Sequence, residues 1–403
     1  MSFKKAAVIG AGAMGAGVAQ VLAQASVEVA LIDIADQFVA NGMKRIEGSL
    51  ASNVKKGRIT PEEKDRVMGL IHPSTNQRDA AGCGLIIEAI IEDRKAKGEL
   101  FQNLNRICAP ETIFATNTST LSVTDLATLS GRAPRFLGMH FFNPVPVMKL
   151  VEVIPGLDTE KDAVEGAMAG VKEIKKLPVV VQDCPGFLVN RILLSYMNEV
   201  ILAAEEGISP EVIDSEAKRI GFPMGPLELD DMVGWDVSLH TFPILHDAYG
   251  DRFPSLKLVQ KLNDVGRLGQ KTGKGVYANG QVDDEFRSIV DSLGCKGSGA
   301  PFTIDRLILK LINEAVYCLQ EGVATAEDID KAMVLGVGFP NVAGVGGPLH
   351  WADENGLDQV LAKLETLAKT EGSRFWPHHL LRAYVAAGRL GKKTNKGFFK
   401  YSL

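Results

Sequence analysis

One stretch near the start of the chain limits its fold more than any other: "AAVIGAGAMGAGVAQVLA", residues 6–23. An apolar β-prone run leads into Gly10-Ala-Gly12-Ala-Met-Gly15, and an apolar-periodic helical run follows. A bare G-x-G-x-x-G is a weak signal, but strand and helix flank this one in the required order. Gly10 allows the tight turn, Gly12 lets a pyrophosphate approach the backbone, and Gly15 lets the helix pack close to the sheet. The helix N-terminus offers unpaired N–H groups and the positive end of its dipole to phosphates.

The next run, "VEVALID", ends at Asp33, 23 residues after Gly10. A carboxylate there accepts both adenosine ribose hydroxyls and repels a 2′-phosphate. Ile34, Ala35 and Asp36 supply no arginine to offset that repulsion, so NAD is favoured over NADP. A Gly-rich turn without nucleotide is the minor alternative.

Strand-like and helix-like stretches alternate through residues 1–184, the pattern of parallel βαβ units. The strands expected are Ala6–Ile9, Val27–Ile32, Gly84–Ile87, Ile113–Thr116 and Arg135–Phe141, with runs at Leu150–Ile154 and Pro178–Gln182 extending the sheet. Beyond Pro185 the texture turns helical, and the sequence repeats itself. "NRILLSYMNEVILAAEEG" (190–207) resembles "DRLILKLINEAVYCLQEG" (305–322), and "GRLGQKTGKGVY" (266–277) matches "GRLGKKTNKGFF" (388–399). Between them "GFPMGPLELDDMVG" (221–234) is echoed by "GFPNVAGVGGPLHWADENG" (338–356), with five extra residues before the second GPL. Three blocks recurring in one order imply a duplicated module. The expected domains are therefore 1–184, 185–292 and 293–403, with the Gly-rich "LGCKGSGAP" (293–301) as linker.

Composition narrows the class further. The 403 residues are 46% hydrophobic and 23% charged with a net charge of −5, which argues against a dedicated nucleic-acid binder. No apolar run reaches the ~18 residues of a membrane helix, so no span is expected. The basic, apolar N-terminus runs straight into the Gly-rich turn and is not read as a signal peptide. Five scattered cysteines show neither zinc nor disulfide spacing, and no HExxH appears; no metal is expected, and a reducing, cytoplasmic setting fits best.

The chemistry centres on "GMHFFNPVPVMKLVEVI" (138–154). His140 stands near the C-terminal end of an expected strand, the edge at which ligands of open α/β sheets bind. Alone, such a histidine is more often structural. Glu152 alters the balance, because a carboxylate inside "KLVEVI" is costly to bury unless it is paired. A glutamate that fixes the ring's tautomer leaves the other nitrogen free to take a proton from a secondary alcohol beside a nicotinamide. Asn117 and Ser119 in "FATNTST" (114–120), and Asn143, offer polar groups at the same edge, although alone they read as turn residues.

The Gly-rich turn with Asp33, "IIEAIIED" (86–93), "NTST" (117–120), "HFFNPVPVMKLVEV" (140–153), "DCPGFLVNRIL" (183–193), "GFPMGPLELDDMVG" and "GQKTGKG" together resemble L-3-hydroxyacyl-CoA dehydrogenases over essentially the whole chain. The duplicated helical part resembles the dehydrogenase part of multifunctional β-oxidation enzymes. The resemblance implies an α/β Rossmann-type domain followed by two tandem all-α modules like those of 6-phosphogluconate dehydrogenase. It implies His140 as base, Glu152 as its acidic partner, and Ser119 and Asn190 on the substrate. For the cofactor it implies Gly10, Gly12, Ala13, Met14, Gly15, Asp33, Ile90, Ile91, Glu92, Lys97, Asn117, Ser119, Asn143 and Lys271. Ser49 and Lys56, on the helical arm 41–67, match positions that hold the CoA nucleotide.

In the second copy Asp305 replaces Asn190, so that copy is expected to be structural, with His350, His378 and His379 at surfaces or interfaces. Short members of the family dimerise through one helical module; a monomer in which the second copy replaces the partner is expected here, with a homodimer left open. The expected reaction is reversible NAD-dependent oxidation of (S)-3-hydroxyacyl-CoA in fatty-acid β-oxidation, beside a hydratase or thiolase partner. A β-hydroxy-acid dehydrogenase acting on a non-CoA substrate and a non-catalytic NAD-binding protein remain alternatives.

Overall fold

Strands that are apolar on both faces need cover on both faces, and the first half of the chain supplies it. The computed structural model describes residues 3–342 and 345–401. Its sheet comprises β1 (Lys5–Ile9), β2 (Glu28–Ile32), β3 (Ile71–Ser74), β4 (Leu85–Glu88), β5 (Ile113–Thr116), β6 (Phe136–Phe141), β7 (Leu150–Pro155) and β8 (Leu177–Val180). Helices α1 (Ala13–Gln24), α2 (Asp36–Lys55), α3 (Pro61–Gly69), α4 (Arg94–Asn105), α5 (Val123–Ser130) and α6 (Lys161–Glu173) join them. One face buries Val8, Leu31 and Met139 with Val18, Ile46 and Ala167 of the helices. On the alternate residues Phe114 stacks on Phe101 of α4 and Phe136 meets that ring edge-on, at 5.8 and 4.7 Å between ring centres.

The strand order is β3-β2-β1-β4-β5-β6-β7-β8. Chain direction along the sheet reverses between β1 and β4, which opens a crevice at the C-terminal strand ends. Two features depart from expectation. β3, "IHPS", is a strand the apolar pattern does not signal, and β7 pairs antiparallel with β6 before β8 runs parallel to β7. Both edge strands carry a proline, Pro73 and Pro178, which removes a donor and discourages edge-to-edge pairing.

The chain divides into two compact units, Met1–Phe187 and Leu188–Leu403. The second unit holds α7 (Val189–Glu205), α8 (Pro210–Arg219), α9 (Pro226–Val233), α10 (Trp235–Tyr249), α11 (Lys257–Asp264) and α12 (Asp284–Leu293). It continues with α13 (Ile304–Gln320), α14 (Ala326–Val337), α15 (Pro348–Asn355), α16 (Leu357–Thr370) and α17 (His379–Ala386), plus two short ribbons.

Within this unit α7 and α13 exchange buried charges. Arg191 of α7 pairs with Glu314 and Glu321 at 2.8 and 2.7 Å; Arg306 of α13 pairs with Glu199 and Glu206 at 2.6 and 2.7 Å. These residues occupy equivalent places in the two repeated blocks, so the contact is reciprocal, as across a two-fold axis. Burial would push Glu199 up, but Arg374 and Arg306 outweigh it and hold the carboxyl below its ordinary range. Lys310 breaks the equivalence. It lies where the first copy has Ser195, and its ammonium donates to the carbonyls of Arg252 (2.6 Å) and Arg374 (3.0 Å).

Smaller contacts recur too. Asp231 accepts the N–H groups of Val276 and Tyr277 at 2.8 Å, and Asp353 those of Phe398 and Phe399 at 3.0 Å.

Candidate active site

The antiparallel register of β6 and β7 sets His140 directly opposite Glu152. Opposed residues in a sheet project to the same face with Cβ atoms about 5 Å apart, so the two side chains meet. Nδ1 of His140 lies 2.7 Å from Oε2 of Glu152, whose side chain is wholly buried. An ionised carboxylate only accepts, so Nδ1 carries the proton and Nε2 keeps its lone pair. Among the described residues Nε2 has no hydrogen-bond partner. The rings of Phe142 and Phe187 lie 4.6 and 5.9 Å from the imidazole and shield it from water. This arrangement is an oriented base with one free nitrogen.

The loops around it are tied down. Asn117 accepts the N–H of Phe141 at 2.8 Å, joining the ends of β5 and β6. Glu92 gathers the loop after β5: it accepts the Thr118 hydroxyl, the N–H of Ser119 at 2.9 Å and the N–H of Thr120 at 3.2 Å. Burial would raise Glu92, but Lys97, Thr118 and Ser119 together hold it below the usual carboxylate range. Behind it Lys97 bridges Glu88 at 2.5 Å and Glu92 at 3.2 Å. Lys97, expected at the cofactor, has a side chain only 1% exposed and held by these two carboxylates.

Glu88, which also accepts the Ile90 N–H (2.7 Å) and the Thr116 hydroxyl (2.6 Å), is a site residue the sequence reading missed. Its signal was present, an acid closing the apolar "LIIE". Asp183 of the "DCPGF" block caps α5, accepting the N–H groups of Val123 and Thr124 at 3.1 and 2.8 Å.

The Gly-rich turn fits a dinucleotide. Gly10 has φ +105°, and a Cβ there would lie 2.4 Å from the Ala89 carbonyl oxygen; a Cβ on Gly15 would lie 1.8 Å from that of Gly10. At Gly12 a Cβ would meet nothing within 4 Å, so the space in front of the turn is open. No side chain caps α1 and no acid stands in its first turn, which leaves the N–H groups around Ala13 and Met14 for an anion. Asp33 accepts the N–H groups of Ala11 and Ile34, each at 2.7 Å, and keeps lone pairs for ribose hydroxyls. Ile34 and Ile91, 85% and 72% exposed, stand in the segments that follow β2 and β4.

The remaining candidates are scattered. Asn143 is exposed in the loop after β6, Ser119 is half-exposed, and Ser49 and Lys56 lie in and just after α2. Asn190, in the first turn of α7, and Lys271, paired with Asp236, belong to the second unit. Asp305 pairs with Lys363 at 2.8 Å. His350 pairs with Asp330 at 2.6 Å and stacks on Phe399, while His378 caps α17. Among the described residues no group of three or more His, Cys, Asp or Glu could hold a metal ion.

Comparison with known proteins adds the following. The sequence model "3-hydroxyacyl-CoA dehydrogenase, NAD binding domain" matches residues 5–184, and that of the C-terminal domain matches 186–279 and 302–401. The fatty acid oxidation complex subunit alpha of Shewanella amazonensis is 36% identical over 394 residues, 96% of this chain and 56% of the relative. The chain thus spans a little over half the length of the curated relatives it matches. The crystal structure of 3-hydroxybutyryl-CoA dehydrogenase from Escherichia coli superposes with a TM-score of 0.87 at 32% identity, covering 96% of this chain and 99% of that one. (S)-3-Hydroxybutyryl-CoA dehydrogenase from Ralstonia eutropha matches 69% of this chain and all of its own, at 38% identity and TM-score 0.67.

Proposed function

The chain belongs to the 3-hydroxyacyl-CoA dehydrogenase family, and on that premise we propose that it interconverts (S)-3-hydroxyacyl-CoA and 3-oxoacyl-CoA with NAD in fatty-acid oxidation. The observation that carries the reading is the imidazole of His140 held at 2.7 Å by the buried Glu152 with Nε2 left free. NAD supplies the acceptor for the hydride that leaves C3. His140 takes the C3 hydroxyl proton on Nε2, and the Glu152 carboxylate stabilises the imidazolium that results. In the reverse direction the imidazolium returns that proton to the forming alkoxide. Phe142 and Phe187 keep water from the ring, which strengthens each charge interaction there.

Gly10, Gly12, Ala13, Met14 and Gly15 would hold the pyrophosphate and Asp33 the ribose. Ile90, Ile91, Glu92, Asn117, Asn143 and Lys271 would complete the cofactor site. Ser119 and Asn190 would orient the reacting group, with Ser49 and Lys56 on the CoA nucleotide. We place the chain in the cytoplasm, working as a monomer whose second helical copy stands in for a partner subunit, beside hydratase and thiolase activities. Among the described residues no helix is long and apolar enough to cross a membrane.

The test is NADH oxidation by the purified chain with acetoacetyl-CoA against free acetoacetate. Turnover restricted to the thioester is expected; turnover of the free acid alone would move the assignment to a β-hydroxy-acid dehydrogenase.

A further inference from the structure

After β6 the chain folds down against α1, so closely that a Cβ on Gly17 would lie 2.8 Å from Cβ of Val145. Beside this contact is a cavity of about 340 Å³, bounded by the C-terminal half of α1, the start of α3 and the link from α6 to β8. Its apolar wall includes Val21, Ile59 and Ile174; its polar wall carries Lys149, Lys175 and Lys176.

Lys176 is only 6% exposed. Its ammonium donates to the carbonyls of Val145 (2.6 Å) and Met148 (2.5 Å). An ammonium has three protons to give, and among the described residues the third finds no acceptor. Burial pushes its pKa down to about 8. Among the described residues no carboxylate lies within ion-pair distance of the three lysines, and the charge that Lys175 feels comes from Glu63 across the cavity wall. Glu63, the acid in the cavity wall, is occupied on both oxygens by Arg66, at 2.8 and 2.9 Å. A buried cation without a counter-ion is costly, and two exposed ammonium groups on the same cavity raise the local positive potential further.

We propose that this cavity is a second nucleotide site, separate from the Gly-rich turn, with phosphates on the lysines and the base against the apolar wall. The volume lies within the range of small-molecule sites, about 300–1,000 Å³. The ligand is a free nucleotide, because Ser49 and Lys56, proposed above for the nucleotide end of coenzyme A, do not line this cavity. The site does not depend on the reaction proposed above.

Titration calorimetry tests it, with NADH and coenzyme A present at saturation to fill the Gly-rich turn and the Ser49/Lys56 arm, and ADP as probe. One further nucleotide is expected per chain, and the double variant Lys149→Gln/Lys175→Gln weakens it at least tenfold while NADH binding stays unchanged. Both lysines are exposed, so the variant keeps the fold. An unchanged KM for acetoacetyl-CoA in the double variant is expected; a raised KM at unchanged kcat would give the cavity to the substrate's nucleotide end and overturn the proposal. Absence of a second nucleotide, or binding undiminished in the double variant, overturns the proposal. Failure of the dehydrogenase assignment would show separately, as no turnover by the unsubstituted chain.

Discussion

Glu152 faces His140 across the one antiparallel junction of the eight-stranded sheet, and the two side chains close that junction with a 2.7 Å hydrogen bond. His140→Gln keeps the size of the side chain but removes the base. The expected result is a fall in kcat of about 10²–10⁴-fold, with the dissociation constant for NADH, measured by fluorescence, within a factor of two or so. Glu152→Gln is expected to lower kcat over a similar range, because the amide neither enforces the tautomer nor stabilises the imidazolium. Wild-type turnover in either variant would dismiss the pair as the proton-transfer centre.

Lys97→Met leaves Glu88 buried with its hydrogen bonds but without its cation. Breaking one side of a buried pair costs about 3–5 kcal/mol, which a lower urea midpoint would register. Because Glu92 then loses its hold on Lys97, the KM for NADH is expected to rise more than kcat falls.

Arg306→Met removes the cation shared by Glu199 and Glu206 within the helical unit. A loss of about 3–5 kcal/mol is again expected. Arg374 still pairs with Glu199 at 2.7 Å, so among the described residues Glu206 is the acid left without a cation. The added change Glu206→Leu should restore part of the loss. No recovery in the double variant would mean that the charges do not act together.

Asp230 supplies a pH-dependent prediction. Burial, then the neighbouring Asp231, pushes its carboxyl up to about 8, and one of its oxygens has no hydrogen-bond partner. The folded-state value lies above the ordinary 3.8, so the protonated acid is the form that folding favours. Its contribution is complete below about pH 4 and is lost as pH climbs towards 8, at about 1.4 kcal/mol per pH unit. Asp230→Asn should therefore match the parent near pH 4 and melt at a higher temperature than the parent by pH 8. A constant difference across that window would contradict the assignment.

Several of these features were legible in the chain before folding. The glycines fixed the turn, and Asp33 closed the second strand, because local backbone needs dictate residue type at such positions. The cost of burying Glu152 pointed to His140. By the same logic Glu88 should have been read as a site residue, but "IIEAIIED" contains three acids and no periodicity separates the buried one. β3 escaped because four residues with a histidine and a proline carry no apolar signature, as befits an edge strand. The reversal of β7 escaped because alternation reports which face a residue takes and is silent about direction. Repeated blocks pointed to related helices, but the Arg–Glu contacts that join α7 to α13 link residues more than a hundred apart, which no local pattern reports.

Lys310 carries a consequence for how such a chain can change. In a dimer of identical subunits every substitution arrives twice, and a lysine near the symmetry axis would confront its own image. Ser195 holds the equivalent place in the first repeated block, and the ammonium of Lys310 donates to the carbonyls of Arg252 and Arg374. One polypeptide can carry lysine at one of two matching positions and serine at the other, a choice closed to a pair of identical subunits.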